Sequence, residues 1–448
     1  MEIKYEFTDK EITPWGGLYI LKEFLDKMDF DKFLDILPMP KQLSNRGYDP
    51  KQIIKAFIIS VWCGSSRFEH IEVLRQDEVL REIFGWEKMP GHRAFQRYFK
   101  KFSLAINHKV FTELFKGLFD GLRFDNYTLD LDSSVITRYG EQEGATTGYN
   151  PKKPGRKSHH PLIAFVSEIK MIANFWLRPG NAYTTDNYKS FLEETLERLS
   201  GKKVGLLRAD SGFYDDKIFK YLEEREEKIP YVIAAKFYYP TKIKIITQKI
   251  WLKVADGIEI ADTTLQSNGW EKERRMIIVR QEIEKRPKAC GKQIELVDQT
   301  IRLFEDENIY KQYRYSCYIT NSELPAEHVW NLYRHRAEAE NRIKEIKEDY
   351  SIDSFNMQEF YATEAALNFA AIAYNIMSLF KQVVMKSNVE HRLKTIRYKI
   401  LSIGSYFVKR GNQRILRLSL PIKRRQAFIG LWENSCAFLW PVYVNNVF

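Results

Sequence analysis

The chain has 448 residues, of which 44% are hydrophobic and 29% charged, and its formal net charge is +11. That length leaves room for two or three domains, the apolar content can build real cores, and the density of charge excludes a membrane protein. Cys63, Cys290, Cys317 and Cys436 are scattered without a CxxC pair, which leaves neither a zinc-site spacing nor a disulfide framework.

The N-terminal sequence MEIKYEFTDKE has neither the basic start nor the apolar run of a signal peptide. A cytoplasmic protein with no membrane partner is expected. Residues 1–120 read as a helical domain. Asp49-Pro50 is a cap for a helix through Trp62, a second helix covers Arg67 to Leu74, and a third covers Gly91 to Phe102. In the third, Phe95, Tyr98, Phe99 and Phe102 form an apolar stripe, and Arg93, Arg97, Lys100 and Lys101 share the other side. Such a helix suits a helix-turn-helix-like DNA reader, or equally a core helix with a solvated basic face.

From residue 121 the pattern becomes strand-rich, with strands at 127–132, 161–168, 171–178, 204–209 and 231–236 and helices near 186–200 and 215–228. This order predicts a mixed α/β core, residues 121–236, built on a five-stranded sheet covered by helices. Residues 237–312 break the pattern and read as a β-rich insertion. Asn268-Gly269 is a turn signal that could present Trp270 at a hairpin tip, although Trp270 and Trp251 could each be a core residue of a small sheet. Residues 313–350 then supply a strand at Arg314–Thr320 and a helix from Pro325 to about Asp349. The last part, 351–448, is expected to be helical and basic: Ala365 to Phe380 is a charge-free core helix too short to span a bilayer, and between His391 and Gly430 lie eleven basic residues, Arg414, Arg417 and Lys423 among them, and no acid. A second basic cluster, Lys152, Lys153, Arg156 and Lys157, lies in the loop after the first strand. Both clusters suit contact with DNA phosphates, or a solubilising surface.

Three acidic positions carry the chemistry. In Tyr127-Thr-Leu-Asp-Leu-Asp132 two aspartates share one strand face, which is unusual because strands are poor in aspartate. The run Val204-Gly-Leu-Leu-Arg-Ala-Asp210-Ser-Gly212 stops at an acid and turns, so Asp210 is either a site residue or a turn cap. On the predicted helix Tyr333, Arg336, Glu340 and Lys347 fall within roughly 60° of arc. That face suits a metal-binding carboxylate among phosphate donors, and it also suits a solvated helix laced with i,i+4 ion pairs.

Tyr333-x2-Arg336-x3-Glu340-x6-Lys347, together with Asp210-x-Gly212-Phe213 and Asp132-x-Ser134, resembles the DDE transposases of bacterial insertion sequences, the cut-and-paste branch with a Y-R-E-K motif. The segments from Gly148 to His160, at Arg178-Pro-Gly-Asn and at Ile319-Thr-Asn are similar to further landmarks of that family. The resemblance spans roughly residues 45–430. It implies a ribonuclease H-like catalytic core, a catalytic and metal-binding triad of Asp132, Asp210 and Glu340 with Asp130 as the alternate first ligand, and two Mg2+ or Mn2+ ions about 3.5–4 Å apart. It also implies DNA contacts by Tyr333, Arg336 and Lys347, and double-stranded DNA partners in the form of terminal inverted repeats and target DNA. A homodimer in the synaptic complex and a nucleoid-associated place in a bacterial cytoplasm complete the expectation. Without metal, acids so close should be held loosely or should raise a pKa. Two other functions fit the same residues: a structure-specific nuclease without strand transfer, and a non-catalytic DNA-binding derivative.

Overall fold

A computed structural model describes residues 3–42, 47–124, 126–294 and 312–443. Residues 295–311 of the expected insertion lie outside the described residues, as do 444–448 of the C-terminal region. At the centre is a nine-stranded mixed sheet. Its strands in chain order are β1 (Tyr127–Ser133), β2 (Leu162–Val166), β3 (Met171–Trp176), β4 (Val204–Ala209), β5 (Tyr231–Ala234), β6 (Leu252–Ala255), β7 (Ile258–Leu265), β8 (Arg274–Glu282) and β9 (Tyr313–Thr320). They are arranged β6-β7-β8-β9-β5-β4-β1-β2-β3. Only β1 with β4 and β4 with β5 run parallel. The sheet is therefore larger than the five strands expected: β6 to β8 do not form a separate unit but continue it, because β8 pairs along its whole length with β9. The same insertion opens with a helix rather than a strand, since Pro240 fits the first turn over Tyr239–Thr247.

Helices pack on the sheet and on one another. Among them are α1 (Leu18–Lys27), α2 (Pro50–Cys63), α3 (His92–Phe99), α4 (Leu104–Asp120), α5 (Tyr188–Arg198), α6 (Asp216–Glu224), α7 (Tyr239–Thr247), α8 (Ala326–Arg334), α9 (Ala337–Asp349), α10 (Phe360–Phe380) and α11 (Ile422–Ala437). Asp49 caps α2 by accepting from Lys51 N at 2.9 Å, as the sequence signal predicted, and Asp215 caps α6 from Lys217 N at 2.8 Å. The charge-free run 365–380 makes up most of α10 and is buried all round, as a helix apolar on every face must be. Phe57 of α2 packs on Phe355 at 4.9 Å, Phe99 of α3 on Phe369 at 5.9 Å, and Trp62 Nε1 donates to Ala373 O at 3.0 Å. The N-terminal helices thus share one core with the C-terminal ones. On its other side α10 closes the sheet: Asn375 accepts from Ile172 N at 2.7 Å and donates to Ile172 O at 2.8 Å, which satisfies backbone groups of edge strand β3.

No described helix is long and apolar enough to cross a membrane. The C-terminal basic segment forms a hairpin, β10 (Ser405–Arg410) and β11 (Gln413–Leu418), followed by α11, which stacks Trp432 on Tyr19 of α1 at 4.8 Å.

Candidate active site

The site grows from the parallel pair β1 and β4. Their last registered partners are Leu131 and Ala209, so Asp132 and Asp210 follow side by side where the two strands end. Asp132 is buried, and its Oδ1 accepts from the Ser133 amide at 2.8 Å. Asp210 is half-buried and caps a single 3₁₀ turn, Ser211–Phe213, by accepting from Gly212 N at 2.8 Å. The cap reading of Asp210 holds, at a position beside Asp132. A Cβ on Gly212 would lie 2.8 Å from that carboxylate oxygen and 3.1 Å from Thr184, so a side chain there would displace the acid. Thr184 also touches Ser133, Oγ to Oγ1 at 3.4 Å, which ties the loop at 178–186 to both acid-bearing strands.

The helix expected from Pro325 to Asp349 is two helices. The chain breaks at His335-Arg336 in a tight turn, with Arg336 N donating to Tyr333 O at 2.9 Å and Ala339 N to Arg336 O at 2.9 Å. At this turn the Arg336 guanidinium is directed inward, 3.0 Å from Asp132 Oδ2 and 3.6 Å from Glu340 Oε1. Tyr333, Arg336, Glu340 and Lys347 therefore do not share one continuous helix face. Tyr333 packs on Tyr318 at 4.3 Å, while Lys347 donates to Val135 O at 2.9 Å, just beyond the end of β1. Glu340 lies in the first turn of α9 with its side chain 70% exposed.

Burial pushes the Asp132 carboxyl up to about 6; Arg336 opposes this, and Asp210 and Glu340 add to it. Burial alone would weaken the Arg336 cation, but Asp132 and Asp210 hold it above its ordinary value. Burial pushes the Tyr333 hydroxyl up to about 12. Lys347 is lowered by burial and, beyond that, by Lys152, so the basic loop reaches towards α9. The donor set is made of carboxylate oxygens, the chemistry a hard divalent cation prefers. The acids do not close around one: among the described residues no three His, Cys, Asp or Glu side chains converge to hold a metal ion. Arg336 stands between Asp132 and Glu340: its Nη2 ion-pairs with Asp132 at 3.0 Å, and its buried Nε has no hydrogen-bond partner.

The alternate ligand Asp130 has another place. It lies in the middle of a central strand, 1% exposed, with both oxygens on Arg208 at 2.6 Å and 2.7 Å. Both of its oxygens are thus taken up by a closed ion pair. Arg208 was missed in the sequence, although a charged residue inside the apolar run of β4 was the available signal. Nearby, His159 contacts Glu143 O at 2.9 Å and accepts from Arg138 Nε at 3.0 Å, and burial lowers it to about 4. His160 contacts Ala182 O at 3.0 Å.

Trp270 is not at an exposed tip. It is 9% exposed and packs on Tyr214 at 5.4 Å and Phe219 at 5.3 Å, with Arg274 over its ring at 5.0 Å, because its turn folds back onto α6. Arg93 and Arg97 project from the exposed side of α3, whose Phe95, Tyr98 and Phe99 are buried. Lys152, Lys153 and Arg156 are exposed, and Lys153 and Arg156 lie over the Tyr139 ring at 4.8 Å and 5.9 Å. The acid-free basic block finds acids elsewhere in the chain: Arg392 pairs with Asp349 at 2.8 Å and Glu348 at 2.9 Å, and Arg414 with Glu82 at 2.7 Å. Arg417 and Lys423 remain exposed.

Over residues 1–434 the chain matches the family described as transposase DDE domain group 1. No curated protein matches it. Its fold is similar to a chain in "Cryo-EM structure of piggyBac transposase synaptic complex with hairpin DNA", at 10% identity and a TM-score of 0.46, with 88% of this chain and 83% of that chain covered. A match over nearly the whole length, on a chain whose strand-end Asp132 meets the buried Arg336, places this protein in the DDE transposase family.

Proposed function

We propose that the protein is the transposase of a bacterial insertion sequence, cleaving DNA at the element ends and transferring the freed 3′-hydroxyl to target DNA. The observation that carries this reading is the meeting of Asp132, Asp210 and the Arg336-Glu340 turn at the end of one parallel strand pair in a member of the DDE family. The order β3-β2-β1-β4-β5, with β2 antiparallel to both neighbours, supports a ribonuclease H-like core.

Asp132, Asp210 and Glu340 are the residues that would hold Mg2+ or Mn2+, two ions per site. When bound, the ions activate the attacking water or 3′-hydroxyl and stabilise the leaving oxygen. The buried Asp132 carboxyl, raised above its ordinary range, marks a site where negative charge awaits a counter-ion. Arg336 serves that role in the structure through Nη2, and its unpartnered Nε suits a scissile-strand phosphate once DNA enters. Tyr333 and Lys347 flank it as further phosphate contacts. Lys152, Lys153 and Arg156 line the approach, and Arg93, Arg97, Arg417 and Lys423 hold more distant phosphates. Two copies would act at a synapsed pair of ends.

The test pairs sequence with chemistry. Terminal inverted repeats should flank the gene, and the purified protein with a duplex carrying one repeat should yield both a nicked strand and a strand-transfer product in Mg2+. Nicks without joining would favour a structure-specific nuclease, and no metal-dependent cleavage at all would remove the reading.

A further inference from the structure

Side chains two residues apart on a strand share a face. Asp130 and Arg208 are registered partners on β1 and β4, so they form a layer directly beneath Asp132 and Asp210. A buried ion pair is no strong source of stability, because desolvation offsets its attraction and apolar residues of similar volume do as well or better. What distinguishes this pair is where the rest of the guanidinium goes. Nη2 also donates to Ser167 Oγ at 3.0 Å, just past the end of β2, and Nη1 donates to Leu332 O at 2.6 Å. Leu332 lies in the last turn of α8, where carbonyls lack intrahelical partners and a cation is favoured. Tyr333 is the next residue, and the turn that carries Arg336 follows at once.

One planar group therefore spans the two acid-bearing strands and the C-terminal end of the helix that leads into the Arg336-Glu340 turn. On the reading of the site given above, we propose that Asp130 and Arg208 are a positioning pair: they fix the spacing between the strand-borne acids and the segment that brings Arg336 and Glu340 to them. Neither residue touches DNA or metal. Asp130 sets the plane of the guanidinium, and Arg208 transmits that plane to Leu332. Lysine in place of Arg208 could pair with Asp130 but could not hold Asp130, Ser167 and Leu332 at once, since its charge is a single point and not a fork.

Two variants of the full chain test this. The double variant Asp130→Leu/Arg208→Met removes the tether without leaving a buried charge, and Arg208→Lys keeps the charge while removing the fork. Hydrogen exchange read by mass spectrometry should show faster exchange at residues 330–340 in both, with β1 and β4 still protected and the double variant melting within a few degrees of wild type. Mn2+ titration of the free protein, followed by electron paramagnetic resonance, should show about tenfold or weaker binding, the usual effect of losing a group that orients metal ligands. Should the double variant not fold, Arg208→Lys alone decides. Unchanged exchange at 330–340, or unchanged Mn2+ binding in a folded variant, overturns the positioning role. A wild-type protein that binds no Mn2+ overturns the functional reading instead, and exchange at 330–340 then judges the tether by itself.

Discussion

The ends of β1 and β4 and the layer two residues below them hold the same kinds of charge and treat them in opposite ways. Below, Asp130 and Arg208 satisfy each other with two short hydrogen bonds and are closed to solvent. At the ends, Asp132 is buried against an arginine whose Nε has no partner, Asp210 is half-exposed, and Glu340 stands in solvent. A closed pair fixes structure; an unfinished one is ready for ligands. The contrast separates two aspartates that composition and alternation could not tell apart.

The largest effect should fall on activity at the strand ends. Asp132→Ala, Asp210→Ala or Glu340→Ala should each lower metal-dependent cleavage of end DNA by at least about 10²–10³-fold, the loss of several kcal/mol of transition-state stabilisation. DNA retention in a gel-shift assay should stay near wild type. Full cleavage by Asp132→Ala would break the comparison at its root. One layer down the loss should be of stability: Asp130→Ala strands the Arg208 charge and should cost about 3–5 kcal/mol in denaturant unfolding. If that variant proved as stable as wild type, the lower layer would not be a closed pair.

Trp270→Ala should likewise cost about 3–5 kcal/mol, as for any buried tryptophan, and should slow no strand-specific step beyond what unfolding explains. A buried acid away from the site gives a smaller, pH-dependent effect. Glu364 accepts from Asn107 Nδ2 at 2.8 Å and from Leu177 N at 3.0 Å, yet burial raises it to about 7. The folded protein holds this proton more tightly than the unfolded chain, so Glu364 loses stability as pH rises from about 4.5 to about 7, by about 3 kcal/mol at most. Glu364→Gln should remove that loss, and its advantage over wild type should grow across the same window. A constant difference between the two proteins at all pH values would contradict the assignment. The smallest effects belong to the surface: Arg417→Ala and Lys423→Ala should each flatten the salt dependence of DNA binding by about one unit of log–log slope, and Arg414→Ala by less because Glu82 already neutralises it.

Local rules made much of the fold readable. β4 runs over the expected residues, β1 extends one residue further, and Asp49 and Asp215 cap the expected helices. The strand ends at Asp132 and Asp210 were legible because an acid after an apolar strand is a local signal. What sequence could not supply was partnership across the chain. Asp130 closes on a residue 78 positions away, and Arg392 and Arg414 find acids 43 and 332 positions away, so an acid-free stretch gave no measure of free charge. The break at His335-Arg336 escaped for the same reason. Arg336 is a good helix former, and its inward partner Asp132 lies far earlier in the chain. Trp270 was placed by its Asn-Gly turn, while Tyr214 and Phe219, which cover it, lie more than fifty residues earlier in the chain.

The central claim is that Asp132, Asp210 and Glu340 form one metal-dependent catalytic unit with Asp130 outside it. Single-turnover cleavage of an element-end duplex at saturating protein, in Mg2+, with Asp132→Asn and Asp130→Asn side by side tests it most directly. The account predicts no detectable nick from Asp132→Asn at a temperature where it is folded, and measurable cleavage from Asp130→Asn to the extent that it remains folded. Cleavage by Asp132→Asn at the wild-type rate, with loss confined to a folded Asp130→Asn, would contradict it.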